Sequence, residues 1–261
     1  MSKRIRLAAI ADMIAAQIAA DALLAKRRAE GRIVLADIGT DHAYLPLDLC
    51  KKGVISSAIA ADVKEGPLRI ANAHITEAHL SDRIETRLSD GLSSIHPGEA
   101  DILAVCGMGG ELVLHILQTN PMTAKAARML ILSPHSKAYD TRAALRELRF
   151  TIFAEDLVCE DGKYYPVMAV RAADEENETA EHRIPMEGAG GWAALTEAER
   201  IELSCRYGYH PLQNRSPILA DFLQKEERRL SAIKVRTSGS RRDEVAKELD
   251  LLNKALAVMR I

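Results

Sequence analysis

The sequence predicts an α/β fold: a mostly parallel, seven-stranded sheet followed by a helical, coiled-coil-like hairpin at the carboxyl end. Three observations predict it. Between Ile33 and about Ala173, five short apolar runs alternate with helical patterns, the signature of βα units in a parallel sheet with helices on both faces. Two further strand-like runs then follow each other without a helix, joined by Glu160-Asp161-Gly162-Lys163, which reads as the turn of an antiparallel hairpin. Beyond an acidic, glycine-tailed stretch the pattern is wholly helical, with apolar residues stepping by four and three.

Taken in order, the amino end is alanine-rich and periodic over residues 5–24 and reads as one or two helices. Residues 19–28 form extra sequence before the first strand, with no role predicted for them. Strands are expected at 33–37, 58–62, 84–88, 102–106, 129–133, 151–158 and 164–170, where β-branched and apolar runs are bounded by turn residues. Helices are expected at 45–52, 67–80, 111–118 and 139–148. Residues 174–191 carry Asp174, Glu175, Glu176 and Glu178 and end in Gly188-Ala189-Gly190-Gly191, and so read as a linker. It divides a domain at 1–173 from a helical domain at 192–261. In the latter, Leu219, Leu223, Leu230 and Ile233 form one seam, and Val245, Leu249, Leu252, Leu256 and Met259 the other, with a turn at Thr237-Ser238-Gly239-Ser240. Such seams serve an antiparallel hairpin or a contact between two copies, so both a monomer and a homodimer fit.

Composition narrows the function classes. Apolar residues make up 48% of the 261 residues and aromatic ones 4%, which suits a soluble α/β enzyme and not a disordered or fibrous chain. The four cysteines (Cys50, Cys106, Cys159, Cys205) lie far apart, so neither a metal-binding pair nor a disulfide framework is expected. His74, His79, His96 and His115 show no ligand spacing, and no metal is assigned. No apolar run reaches membrane-spanning length and no secretory h-region follows the basic start, which gives a cytoplasmic expectation. With a net charge of −2, affinity for nucleic acid must come from local patches. Lys234, Arg236, Arg241 and Arg242 fall in a stretch without an acid, and Arg142, Arg146 and Arg149 sit about one turn apart on a predicted helix. Each set is a solvated face or a phosphate-contacting patch.

The chemistry gathers at the ends of the strands. Asp37, Gly39 and Asp41 surround the end of the first, Asp62 and Val63 the second, Asp90-Gly91 the third, and Gly107-Met108-Gly109-Gly110 the fourth. In an open α/β sheet, ligands bind at these carboxyl ends, and an acid ending the second strand suits ribose hydroxyls. No GxGxxG phosphate loop is present. The first loop reads DIGTDH, whose two carboxylates repel a pyrophosphate and attract a sulfonium and an ammonium. S-adenosylmethionine is therefore expected in place of a dinucleotide, and a nicotinamide oxidoreductase is disfavoured. A class I S-adenosylmethionine-dependent methyltransferase, Rossmann-like, has this sheet and this final antiparallel pair.

Specific motifs sharpen the reading: DIGTDHAYLP, Asp62 with Gly66-Pro67-Leu68, SDGL at Ser89 to Leu92, CGMGG at Cys106 to Gly110, and Leu130-Ile131-Leu132-Ser133-Pro134. Together with the opening Arg6-Leu7, Ala11-Asp12-Met13 and the EDGKYYPVMAV hairpin, they resemble the bacterial TrmK family, tRNA adenine-N1 methyltransferases acting on adenine 22 in the D-arm region. The resemblance implies that Asp37, Gly39, Asp62, Val63, Asp90, Gly91, Gly107, Met108 and Gly109 hold the methyl donor. It puts His42 with the donor and at the border of the target base, and Asp41, Tyr44, Pro134 and His135 on the base itself. Asp41 can instead cap the helix beginning near Ala43, and Tyr139 is a second candidate for stacking. One departure stands out: the family's Gln-Pro-Asn loop is here Ser133-Pro134-His135. Methylation of another RNA or a small molecule, or a non-catalytic role binding the same donor, remain the alternatives.

Overall fold

The computed structural model describes residues 5–173 and 190–260. Its seven strands form one sheet in the order β3-β2-β1-β4-β5-β7-β6. These are β1 (Val34–Ile38), β2 (Ser57–Asp62), β3 (Ile84–Leu88), β4 (Ile102–Cys106), β5 (Met129–Ser133), β6 (Phe150–Glu160) and β7 (Lys163–Ala172). The first five pair in parallel, whereas β7 runs antiparallel to both β5 and β6. Central strands are apolar along nearly their whole length because helices cover both faces; all five residues of β5 are buried. The β6–β7 turn places Asp161 and Gly162 both at positive φ (51° and 73°), as a two-residue turn matched to strand twist requires.

Helices α1 (Ile5–Ala20), α2 (Ala22–Ala29), α3 (Tyr44–Lys51) and α4 (Glu65–Glu77) cover one face. Helices α5 (Gly110–Thr119), α6 (Pro121–Ala126) and α7 (Ala138–Glu147) cover the other. The extra residues 19–28 are thus largely a helix of their own. Asp21 caps it, accepting from the N–H groups of Leu23 and Leu24, and α1 and α2 meet there at 98°. Among the described residues no single helix is long and apolar enough to cross a membrane. Helix α6 was not expected; it is short, with its proline in the first turn, and reads in sequence as a loop.

Most of the predicted linker, residues 174–189, lies outside the described residues. A 3₁₀ turn (Gly190–Ala194) leads into α8 (Glu197–Tyr207), α9 (Tyr209–Gln213), α10 (Pro217–Arg236) and α11 (Gly239–Met259). Helix α8 opens on a reciprocal capping box between Thr196 and Glu199, and Lys254 of α11 pairs with Glu199 at 2.8 Å. The predicted hairpin is α10 with α11, whose seam buries Leu219, Leu223, Leu230, Val245, Leu249 and Leu252. At its carboxyl end the seam differs: Ala255 and Val258 are buried, while Leu256 and Met259 are only partly covered. Helix α11 packs against the 3₁₀ turn, α8 and α9 as well as α10. A Cβ at Gly191 would lie 2.6 Å from the Ala257 carbonyl oxygen, so the backbones touch and the buried face rotates.

One expectation is overturned. Arg142 belongs to no solvated or RNA-facing stripe; it is buried, with Nη2 2.7 Å and Nε 2.9 Å from Glu155 Oε1 of β6. Its Nη1 donates to the Cys205 carbonyl at 2.9 Å, which ties α7 and β6 to the end of α8. A guanidinium leaves water only where its donors are met, and here carboxylate and helix-end carbonyls meet them. Arg146 and Arg149 remain exposed. Removing one member of such a pair strands the other in a dry site. Arg142→Ala is expected to cost about 3–5 kcal/mol in denaturant unfolding, and Arg142→Met with Glu155→Leu to recover much of that loss.

Candidate active site

The sheet reverses its winding between β1 and β4: α3 after β1 lies on one face and α5 after β4 on the other. The two strand ends therefore border an open crevice. Asp37 sits there, buried, one residue from the end of β1. Burial pushes its carboxyl up to about 6, a hydrogen bond from Thr40 Oγ1 (2.7 Å) opposes that, and the neighbouring Asp62 adds to it. Gly39 takes a φ of +73°, a conformation L side chains rarely adopt, and the N–H groups of Gly39 and Thr40 both donate to the Ala61 carbonyl. The turn is thereby tied to β2.

The following loop is strained on both sides of His42, since Asp41 (φ 53°) and Ala43 (φ 59°) are left-handed. Ala43 holds the N-cap position of α3 and no side chain caps that helix, so Asp41 does not serve as a cap. Its carboxylate is 69% exposed, with Oδ2 3.4 Å from His42 Nε2. His42, Tyr44 and His74 form a cluster of three rings with centroids 5.2–5.6 Å apart. The His74 ring also pairs through Nδ1 with the His42 carbonyl at 3.1 Å, anchoring the strained loop to α4. His74 was missed in the sequence because its partners lie some thirty residues away.

At the end of β2, Asp62 Oδ1 accepts from the Lys64 N–H at 3.0 Å and Val63 stands exposed. Asp90 and Gly91 follow β3, with Asp90 exposed. Gly107 (φ +75°) leaves β4 and donates its N–H to the Ser133 carbonyl at 3.0 Å. The Met108 side chain lies against Gly39, so the two turns are packed together. Gly109 precedes α5 and bridges to Ser136. In the departing Ser133-Pro134-His135 segment, Ser133 and Pro134 are buried. His135 is exposed, its N–H donating to the Met108 carbonyl (2.9 Å) and its Nδ1 facing the Gly107 carbonyl (3.1 Å).

A cleft of about 500 Å³ gathers part of this set: Asp37, Gly39, Asp41, His42, Tyr44 and Gly107. Asp62, Val63, Asp90, Gly91, Met108, Gly109, Pro134 and His135 lie along the same sheet edge outside its lining. Sequence reasoning did not place Arg6, Leu7 and Ile10 of α1, or Glu160 of β6, which close the cleft from above. Their signal was present in the Arg6-Leu7 and EDGK motifs, but nothing in the local pattern placed those segments together. Cys106 also lines the cleft; burial, then Asp37, pushes its thiol up, so it stays protonated.

Residues 23–168 match the family described as "Methyltransferase domain". The chain belongs to that family. Within it, the resemblance to TrmK is supported by the tRNA (adenine(22)-N(1))-methyltransferase of Bacillus subtilis (strain 168), 38% identical over 143 residues. That match covers 55% of this chain and 60% of the relative, so it spans less than two thirds of the relative's length. The crystal structure of the B. subtilis M1A22 tRNA methyltransferase TrmK is similar throughout, with a TM-score of 0.71 and 25% identity over 98% of each chain. Streptococcus pneumoniae Sp1610, solved in complex with S-adenosyl-L-methionine, gives a TM-score of 0.72 at 25% identity, covering 98% of this chain and all of that one. The mostly parallel, seven-stranded methyltransferase fold is the one the sequence predicted, and its strands run in the order 3-2-1-4-5-7-6.

The raised pKa of Asp37 has a sign that can be checked. Its folded value, about 6, lies above the ordinary 3.8, so the folded chain holds the proton longer. The stability this proton confers is full below about pH 4 and is lost as pH rises through 6. Asp37→Asn is expected to be more stable than the parent by about 2–3 kcal/mol at pH 8, with the gap closing by pH 4 in thermal or urea melts.

Proposed function

We propose that the protein is an S-adenosylmethionine-dependent tRNA (adenine(22)-N1)-methyltransferase. The observation that carries this reading is the acid-lined cleft at the β1–β4 switch point, built on left-handed Gly39 and Gly107, in a chain similar to TrmK proteins. These residues fit the methyl donor. Asp37 and Asp41 suit a sulfonium and an ammonium and disfavour a pyrophosphate, and Asp62 stands at the strand end where ribose hydroxyls are held. When bound, S-adenosylmethionine supplies an electrophilic methyl group.

In this reading Asp37, Gly39, His42, Gly107, Met108 and Gly109 hold the amino-acid half of the donor, and Asp62, Val63, Asp90 and Gly91 its adenosine. The target adenine must leave its stack to present N1. Tyr44, with His42 and His74 behind it, offers a stacking platform, and Pro134 and His135 border the base from the β5 side. Neutral N1 carries no proton, so no general base is required. The ring becomes cationic as the bond to N1 forms, and Asp41, an exposed carboxylate at the mouth, stabilises that charge. Holding the base in line with the donor contributes through orientation.

The hairpin tip supplies the grip on RNA. Lys234, Arg236, Arg241 and Arg242 flank the turn between α10 and α11, beside Val235, which is 86% exposed. Arg241 shares its charge with Glu244 at 2.9 Å. Such contacts go to phosphates and carry no sequence information, so selection of the target falls to the cleft. The protein acts as a monomer or homodimer in the cytoplasm, where its substrate is.

Methyl transfer from labelled donor to unmodified tRNA, followed by nucleoside analysis, is expected to yield 1-methyladenosine at position 22. Donor binding without transfer would move the acceptor to another RNA or a small molecule. Asp41→Ala is expected to lower kcat about a hundredfold with donor affinity changed less than about twofold; unchanged turnover would remove its role. Replacing Lys234 and Arg236 together by alanine should weaken tRNA binding and reduce the slope of log affinity against log salt by about 1 to 2.

A further inference from the structure

In the proposed reaction the exocyclic amine of the target adenine still lacks a protein partner. We propose that His135 is the residue that selects adenine, accepting a hydrogen bond from its N6 amine through Nε2. The assignment rests on the adenine-methylation reading.

Geometry fixes which ring nitrogen can accept. His135 Nδ1 lies 3.1 Å from the Gly107 carbonyl oxygen, and a carbonyl only accepts, so the ring proton belongs on Nδ1. In the neutral ring Nε2 then carries a lone pair and no proton. Nε2 lies 3.9 Å from the position a Cβ would take on Gly109, and so stands over a residue with no side chain to cover it. His135 is exposed there, at the end of the loop that departs from the family pattern.

The ring is held on a rigid platform. The loops after β4 and β5 stay paired beyond their strands. Gly107 N–H donates to the Ser133 carbonyl (3.0 Å), His135 N–H to the Met108 carbonyl (2.9 Å) and Gly110 N–H to the Ser136 carbonyl (3.1 Å). A Cβ at Gly110 would lie 2.9 Å from the Ser136 carbonyl oxygen, so α5 starts in backbone contact with this loop. Gly107, which anchors the ring, also lines the cleft. An acceptor fixed in this way discriminates by position, with little freedom to swing aside.

Adenine is the base that such an acceptor suits. It presents an N6 donor where guanine presents O6, an acceptor that a lone pair repels. As the methyl group bonds to N1, positive charge spreads onto N6 and its hydrogens become stronger donors. The contact therefore tightens in the transition state, and its loss falls on kcat as well as on binding. Asp41, which follows β1, answers the charge of the ring, whereas His135, which follows β5, reads the amine.

The test compares tRNA carrying adenine at position 22 with the same tRNA carrying purine there, which keeps N1 but lacks the amine. Labelled methyl transfer gives kcat/KM for each on the full chain. Purine N1 is intrinsically the weaker nucleophile, but that difference is common to every variant and cancels when their preferences are compared. The preference for adenine over purine is expected to fall about 5- to 20-fold in His135→Leu. His135→Gln, which returns an amide oxygen near the place of Nε2, should recover part of it. Affinity for S-adenosylhomocysteine should stay within about threefold of the parent in both, as expected for a lost base contact in an intact turn. Equal losses on the two RNAs would overturn the proposal by making His135 a strut between the β4 and β5 loops, and no loss on either would overturn it as well. A preference that collapses in Asp41→Ala but survives in the His135 variants would also overturn it, by moving the amine contact to the β1 side. Absence of methyl transfer from the parent protein to the adenine tRNA would overturn the methylation reading itself. An active parent whose preference no His135 variant alters sinks this assignment alone.

Discussion

Every part of the site hangs on the reversal of winding between β1 and β4. Chain leaving β1 must cross to the α3 face and chain leaving β4 to the α5 face, so no connection covers the gap between them. Both turns have to bend away sharply, which is why left-handed residues cluster there: Gly39, Asp41 and Ala43 after β1, and Gly107 after β4. The same reversal leaves backbone groups of the two turns close to whatever fills the gap. It also buries Asp37 on a strand end that solvent scarcely reaches.

The site is consequently a place where the fold holds costly features. A carboxylate is desolvated at Asp37, two non-glycine residues occupy a backbone region that costs each about 1–2 kcal/mol, and the buried hydroxyl of Ser133 has no partner among the described residues. The compensation lies elsewhere. Apolar cores fill both faces of the sheet, and the third core is shared between β6 and the carboxyl-terminal helices through Leu157. Arg142 and Glu155 join that third core to the second, so the helix following the Ser133-Pro134-His135 turn is held in register with the helical tail. The strained and desolvated features and those that give rigidity are thus separated along the chain, though they share the same strands.

What could be read from sequence followed the range of the physics involved. Runs such as Leu130-Ile131-Leu132 and the Asp161-Gly162 turn declare themselves because their causes are local: continuous burial, or a positive φ at adjacent residues. The strand ends and the turns that follow them were legible for the same reason, since each strand is followed at once by its turn. Arg142 was not legible, because its burial depends on Glu155 and on carbonyls of Cys205 and Arg206 in elements far along the chain. Nor was the roof of the cleft, where α1 meets β6. The seam of α11 was correct up to Leu252 and then drifted, because a repeat of four and three assumes one partner helix, whereas α11 also packs against the 3₁₀ turn, α8 and α9.

The bond between the Arg6 N–H and Glu160 joins residues 154 positions apart and closes the cleft. During synthesis, α1 emerges well before β6 and waits while the whole parallel part of the sheet is made. At about 5–20 residues per second that interval is roughly 8–30 seconds. For its duration the nascent chain has Asp37 and the Gly39 turn in hand but no lid above them. The cleft is therefore among the last features of the sheet to be finished on the ribosome, and a chain interrupted before β6 carries the sequence motifs of the family without a completed site.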